Sequence, residues 1–183
     1  MRAFFLLCVS RAGLCLGTMM FGDQTGRDEA AAIVADARAH GVNFIDTADV
    51  YTKGASESML GELLAGQRHD WVLATKLGNR MGDGPNQSQY SRTWMLREVE
   101  ASLERLRTDH VDILYLHRDF PGMDLEEPLF ALDALLRATG LAVTQAEALA
   151  DRHPARRADP YRAVQLGAGP PLRWHVRVPY RGH

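Results

Sequence analysis

The apolar positions along the chain alternate between two spacings. Leu14-Cys15-Leu16 is a short continuous run that stops at Gly17. From about Gly26 to His40 the spacing is helical, with Ile33, Val34 and Ala37 on one stripe. Thr25 is placed to cap that helix, Asp28 to reach back as in a capping box, and Gly41 to supply a left-handed stop. Asn43-Phe44-Ile45 is a second short run and ends on Asp46. Met59, Leu60, Leu63 and Leu64 predict a second helix, with Ser56 at its N-cap and Gly66 at its end. Trp71 to Thr75 predicts a third strand that stops at Lys76, followed by a loop rich in Gly, Asn and Ser from Leu77 to Tyr90. The clearest helix is Arg92 to Leu106, where Leu96, Val99, Leu103 and Leu106 are three, four and three apart. Val111 to Leu116 predicts a fourth strand ending at His117. A fourth helix starts near Pro128, a residue suited to a first turn, and runs through Leu129, Leu132, Leu135 and Leu136 toward Arg137.

Four strand–helix units with mostly apolar strands imply a parallel sheet covered by helices. Two α/β architectures compete: an open doubly wound sheet and a (β/α)8 barrel. A dinucleotide-binding sheet would want G-x-G-x-x-G after its first strand; Gly17-Thr18-Met19-Met20-Phe21-Gly22 lacks the middle glycine. The polar residues favour the barrel. Asp46, Lys76 and His117 each sit at the C-terminal end of a successive strand, the rim on which barrel enzymes build catalysis.

With 183 residues, 46% of them hydrophobic, the chain can form one domain with a sizeable core. It has no run of eighteen apolar residues, so no membrane span is expected. Residues 1–15 hold an early Arg and then seven residues, Ala3 to Val9, without a charge, but no small-x-small cleavage site follows. A strand or hairpin before the first repeat is the expectation there. Cys8 and Cys15 lie in this segment without a flanking His cluster, which fits neither a disulfide scaffold nor a zinc site, and a reducing cytoplasm suits them. His40, His69, His110, His153, His175 and His183 show no paired ligand spacing, so no metal is expected. Lysine is rare: Lys53 and Lys76 are the two among 21 basic residues.

The net charge of −2 is lopsided. Residues 152–183 carry seven Arg and one Asp, a local +6, which leaves −8 for the rest. A basic arm suits nucleic acid, yet no aromatic residues interleave with these arginines in a stacking pattern. No nucleic-acid partner is expected.

Each rim residue has an ordinary explanation. Asp46 could be a loop-entry cap, Tyr51 a half-buried packing tyrosine, Lys76 a solvated strand-end charge and His117 a satisfied core histidine. Together they suggest an acid–base device. A phenol titrates near ~10, too high for efficient acid work at neutral pH. A neighbouring ammonium favours the phenolate and lowers that value. A carboxylate beside the lysine helps hold its charge in place. Asp46, Lys76 and Tyr51 supply that chain, and His117 can hydrogen-bond and orient a substrate oxygen. The natural reaction is protonation of a carbonyl oxygen as hydride reaches its carbon. Side chains cannot donate hydride, so a nicotinamide cofactor is required.

"GVNFIDTADVYTKGASESMLG", "WVLATKLG" and "SLERLRTDHVDILYLHRD" closely resemble the aldo-keto reductases, and "LCLGTMMFG" resembles their first-strand segment. The resemblance runs from about Leu14 to Arg137. It implies a (β/α)8 barrel that binds NADPH without a Rossmann fold. It maps Asp46, Tyr51, Lys76 and His117 onto the family's catalytic tetrad, with Tyr51 as proton donor. Gly17, Thr18 and Met19 match the loop along the nicotinamide, with Asp46 counted on the cofactor side as well. Gly54, Ser56, Glu57 and Gly61 look most like the branch that includes bacterial general-stress reductases and potassium-channel beta subunits. The implied activity is NADPH-dependent reduction of aldehydes or ketones to alcohols.

Beyond Arg137 the resemblance fades. Residues 1–137 read as the N-terminal half of such a barrel, 138–153 as a helical remnant, and 154–183 as an irregular Arg- and Pro-rich tail. The family's fifth strand, whose Ser-Asn end grips the nicotinamide amide, is not apparent. Read one base later, and with suitable codons, Ala158 to Gly167 can encode Pro-Ile-Leu-Thr-Ala-Gln-Tyr-Ser-Leu-Val, which resembles the family's sixth strand. A frameshift is therefore the expected origin of the tail. A partial barrel of four to five βα units would leave open sheet edges, prone to self-association. The alternatives are a catalytically inactive half-barrel lacking a complete cofactor site, or a cofactor-sensing binding subunit.

Overall fold

The structure is a computed structural model that describes residues 13–85, 87–118, 120, 126–138 and 176–177. Its elements in chain order are β1 (Leu16–Gly17), α1 (Arg27–Ala39), β2 (Phe44–Asp46), α2 (Ala55–Leu63), β3 (Val72–Leu77), α3 (Arg92–Leu106), β4 (His110–Val111), β5 (Ile113–Leu116), α4 (Glu126–Ala138) and β6 (Val176–Arg177). The main sheet is parallel, in the order β1-β2-β3-β5. Each strand adds on the same side as the last. A doubly wound sheet reverses direction at a switch point; this one progresses steadily, as a (β/α)8 barrel does.

Side chains on a strand alternate between faces. Ile45, Leu73, Leu77 and Leu114 face the helices and join Leu60, Leu64, Met95, Val99, Leu103 and Leu106 in the main core. Burying one such leucine stabilises the fold by roughly 1.5–3 kcal/mol. On the other face Val72, Ala74 and Ile113 form a second, smaller cluster, flanked by Phe44 and Tyr115. The two-residue period then assigns Asp46, Lys76 and His117 to this inner face, beyond Phe44, Ala74 and Tyr115.

Of the expected stripe of α3, Val99, Leu103 and Leu106 are buried while Leu96 is only partly so, its place taken by Met95, and Ser91 caps the helix through Trp94 N–H. Gly41 and Gly66 adopt left-handed backbone after the first two helices. Two expected caps are replaced. Thr25 does not cap α1, whose N-cap is Gly26 without a side-chain bond. The Thr25 backbone is instead committed to the preceding turn, accepting from Gly22 N–H and donating to the Met20 carbonyl. Ser56 lies inside the first turn of α2, and Thr52 Oγ1 accepts the Ser56 N–H at 3.0 Å. The expected fourth strand is divided at Asp112, whose carboxylate takes Leu73 N–H and the Arg68 guanidinium at 2.8 and 2.7 Å.

Val176–Arg177 pairs antiparallel with His110–Val111. Of the expected remnant at 138–153, Ala138 closes α4 and residues 139–153 lie outside the described residues, as do the remaining tail with Ala158 to Gly167 and residues 1–12 with Cys8.

Candidate active site

The rim is built from the ends of the strands outward. After Asp46 the chain leaves β2 but keeps running beside β3: Thr47 N–H donates to the Ala74 carbonyl and Asp49 N–H to the Lys76 carbonyl, at 2.9 and 3.0 Å. This connector ends in a tight 3-10 segment, Tyr51–Gly54. Thr52 and Lys53 hold φ of +49° and +55° there. Such left-handed backbone costs a non-glycine residue roughly 1–2 kcal/mol. Thr52 offsets it with hydrogen bonds, its hydroxyl donating to the Phe21 carbonyl at 2.7 Å while accepting from Ser56. The strain sits immediately after Tyr51 and fixes how the phenol leaves the backbone.

The side chains converge. Lys76 Nζ donates to Asp46 Oδ1 at 2.5 Å and to the Thr47 carbonyl at 2.8 Å. The same ammonium lies 4.6 Å from the centre of the Tyr51 ring. The Tyr51 and His117 rings meet edge to face, 5.9 Å between centres. Lys76 and Asp46 side chains keep 16% and 28% of their exposure, so this ion pair is open to a ligand without being freely solvated. Burial lowers the His117 imidazole pKa below its ordinary value; Lys76 and Arg118 add to this and Asp46 opposes it. The ring is therefore neutral at neutral pH, and its Nδ1 is buried with no hydrogen-bond partner among the described residues.

β1 aligns Gly17 directly with Asp46. A Cβ on Gly17 would meet nothing within 4 Å, and Met19 is 58% exposed. Between them Thr18 is buried. Ser56 Oγ donates to its carbonyl at 2.8 Å and lies 3.0 Å from the hydroxyls of both Thr18 and Thr47. This knot ties the β1 loop, the connector and α2 together.

Three supports had no role assigned from the sequence, although Glu57 stood out there as part of a family-like pattern. Tyr90, buried under the loop, donates to the Arg118 carbonyl at 2.7 Å and accepts Arg118 N–H at 3.0 Å, which anchors the chain after His117. Gly78 makes room for it: a Cβ there would lie 2.0 Å from Tyr90 Cε1. Glu57, fully buried, accepts from Thr75 Oγ1 at 2.6 Å and from Arg105 Nε at 2.7 Å. Arg105 also binds Glu98 at 2.5 Å and Ser102 at 3.0 Å. Asp49, on the connector, is fully buried as well. A charged residue beside an apolar helical stripe, as Glu98 and Arg105 are on α3, was the available signal.

Residues 13–148, well over half of the chain, match the sequence model of the Aldo/keto reductase family. The chain belongs to that family. It is similar to the uncharacterised oxidoreductase YqkF of Bacillus subtilis, 36% identical over 131 residues that make up 70% of this chain and 42% of that protein. Norsolorinic acid reductase stcV of Emericella nidulans is 40% identical over 142 residues, 68% of this chain and 36% of the relative. Among solved structures, an aldo-keto reductase of Bacillus halodurans in its holo form superimposes with a TM-score of 0.61 at 34% identity, covering 68% of this chain and 42% of that one. This aldo-keto reductase chain thus spans less than half the length of these two curated relatives, and its fold is part of the family's barrel.

Proposed function

We propose that the chain carries the proton-transfer centre of an NADPH-dependent reductase that converts small aldehydes or ketones to alcohols. The observation that supports it most is the dual placement of Lys76 Nζ, on the Asp46 carboxylate and beside the Tyr51 ring. In this reading Lys76 favours loss of the Tyr51 proton, and Asp46 holds Lys76 charged and aimed. Tyr51 gives its proton to the carbonyl oxygen. Neutral His117 donates a hydrogen bond to the same oxygen and orients it.

The open face at Gly17, aligned with Asp46 and flanked by exposed Met19, fits the flat nicotinamide end of a cofactor. Gly17, Thr18, Met19 and Asp46 would hold that end. The bound cofactor supplies hydride to the carbonyl carbon, chemistry that no side chain provides. No described helix is long and apolar enough to cross a membrane, and the carbonyl compound is the one partner the site itself calls for.

NADPH fluorescence tests the reading. We expect binding with a Kd on the order of micromolar, lost in Lys76→Met. Tyr51→Phe should keep cofactor affinity while reduction falls by on the order of 10²–10⁴-fold; retained turnover rules Tyr51 out as the acid. A second reading draws on the partial coverage of the relatives: a catalytically silent partial barrel. Among the described residues β1 and β5 each have a partner strand on one side only in the main sheet. Soluble oligomers without NADPH binding would support it.

A further inference from the structure

We propose that Asp49 is a positioning residue: as a neutral, protonated carboxyl it locks the connector that carries Tyr51 onto the strand that carries Lys76. The inference rests on the reductase reading for the role of Tyr51 and on geometry for everything else. Asp49 has no exposed surface. Its N–H donates to the Lys76 carbonyl at 3.0 Å, and its Oδ1 accepts Val50 N–H at 2.6 Å. Its Oδ2 is buried without a hydrogen-bond partner among the described residues. The charged groups whose fields reach it are Glu57 from α2, and Glu98 and Arg105 from α3. Arg105 is already committed to Glu57 and Glu98. Three ionised carboxylates around one guanidinium would leave two uncompensated buried charges, an arrangement that folding disfavours strongly.

A proton on Asp49 removes one of these two charges, and the Glu98 carboxyl, whose pKa burial also raises, shares the strain. Burial first, then Glu98 and Glu57, raise the Asp49 carboxyl to about 7, against the pull of Val50 N–H and Arg105. The folded chain therefore holds a proton that the unfolded chain releases near 3.8. By linkage, stability declines as pH climbs between these two values and levels off above the higher one. Above neutrality the connector carries a buried charge. The Asp49–Lys76 backbone bond then weakens, and with it the spacing between phenol and ammonium.

Three measurements on the full chain test this. Carboxyl ¹³C titration of wild-type protein should place Asp49 near neutrality; a midpoint near the ordinary aspartate value overturns the proposal. This arm needs no variant. In amide exchange corrected for intrinsic rates, protection of the Asp49 N–H should fall about tenfold between about pH 6 and pH 8 in wild type. It should stay level in Asp49→Asn, which mimics the protonated form. Parallel declines overturn the proposal. With NADPH and 4-nitrobenzaldehyde, wild-type kcat should fall about tenfold relative to Asp49→Asn over the same range, with KM unchanged. Equal pH profiles in two active proteins count against it. If neither protein reduces the aldehyde, the reductase reading fails, and titration and exchange alone decide whether Asp49 anchors the connector.

Discussion

Two charge clusters lie a few residues apart and are built on different rules. The rim cluster places one cation, Lys76, against one carboxylate, Asp46, with both side chains partly open. The inner cluster places Arg105 between Glu57 and Glu98, whose side chains are 0% and 5% exposed, and pins α2 to α3. In the open cluster water can replace a lost partner. In the closed one a lost partner leaves a charge that nothing solvates. The two cations are similarly exposed, Lys76 at 16% and Arg105 at 22%; it is the openness of the carboxylate, rather than charge, that separates the rim from the cluster that holds two helices in register.

The sharpest way to break this comparison is to remove each cation. Arg105→Met should cost about 3–5 kcal/mol, since two buried carboxylates lose their partner together. Lys76→Met should cost no more than about 1 kcal/mol, because Asp46 can hydrate. Urea unfolding of both variants provides the measurement. Similar losses would mean that the rim is as closed as the interior.

Next in size is the same contrast drawn with glycines. A Cβ on Gly61 would lie 2.4 Å from the Arg105 carbonyl oxygen and 2.8 Å from the Leu106 carbonyl carbon. Both are backbone atoms and cannot swing aside. Gly61→Ala should therefore cost about 1–3 kcal/mol by forcing α2 from α3. A Cβ on Gly17 meets nothing. Gly17→Ala should leave the melting temperature nearly unchanged yet weaken NADPH binding, because the added methyl occupies the face aligned with Asp46. Lost stability without lost binding would show that this face is structural.

The rim was more legible in the sequence than the interior. Asp46, Lys76 and His117 each follow an apolar run, and strand alternation sends all three to one face, so local pattern was sufficient. The interior cluster joins Glu57 to Arg105 across 48 residues, a pairing that no local pattern encodes. Gly54, Ser56, Glu57 and Gly61 were visible as a pattern, but its meaning was structural. A Cβ on Gly54 would lie 2.7 Å from Arg105 Cδ, so this glycine admits the arginine that Glu57 receives. Thr25 and Ser56 fitted the rule for helix caps, but a local turn took the backbone of Thr25 and a tertiary hydrogen bond took the hydroxyl of Ser56.

The smallest effect separates the clusters by the sign of their response to pH. Asp49 lies buried within the field of the closed cluster and holds its proton too long, so its contribution to stability falls as pH rises to about 7. His117 borders the open cluster and has the opposite habit. Its folded pKa lies below the ordinary 6.5, so the unfolded chain binds a proton more readily, and stability is lost as pH falls below that ordinary value. Burial is the larger cause and Lys76 the next. Lys76→Met should therefore raise the midpoint of the His117 ring-proton NMR titration without reaching 6.5, whereas Asp46→Asn should lower it. A midpoint indifferent to both substitutions would mean that the imidazole senses only its burial. The rim would then be four neighbouring residues rather than one electrostatically coupled centre.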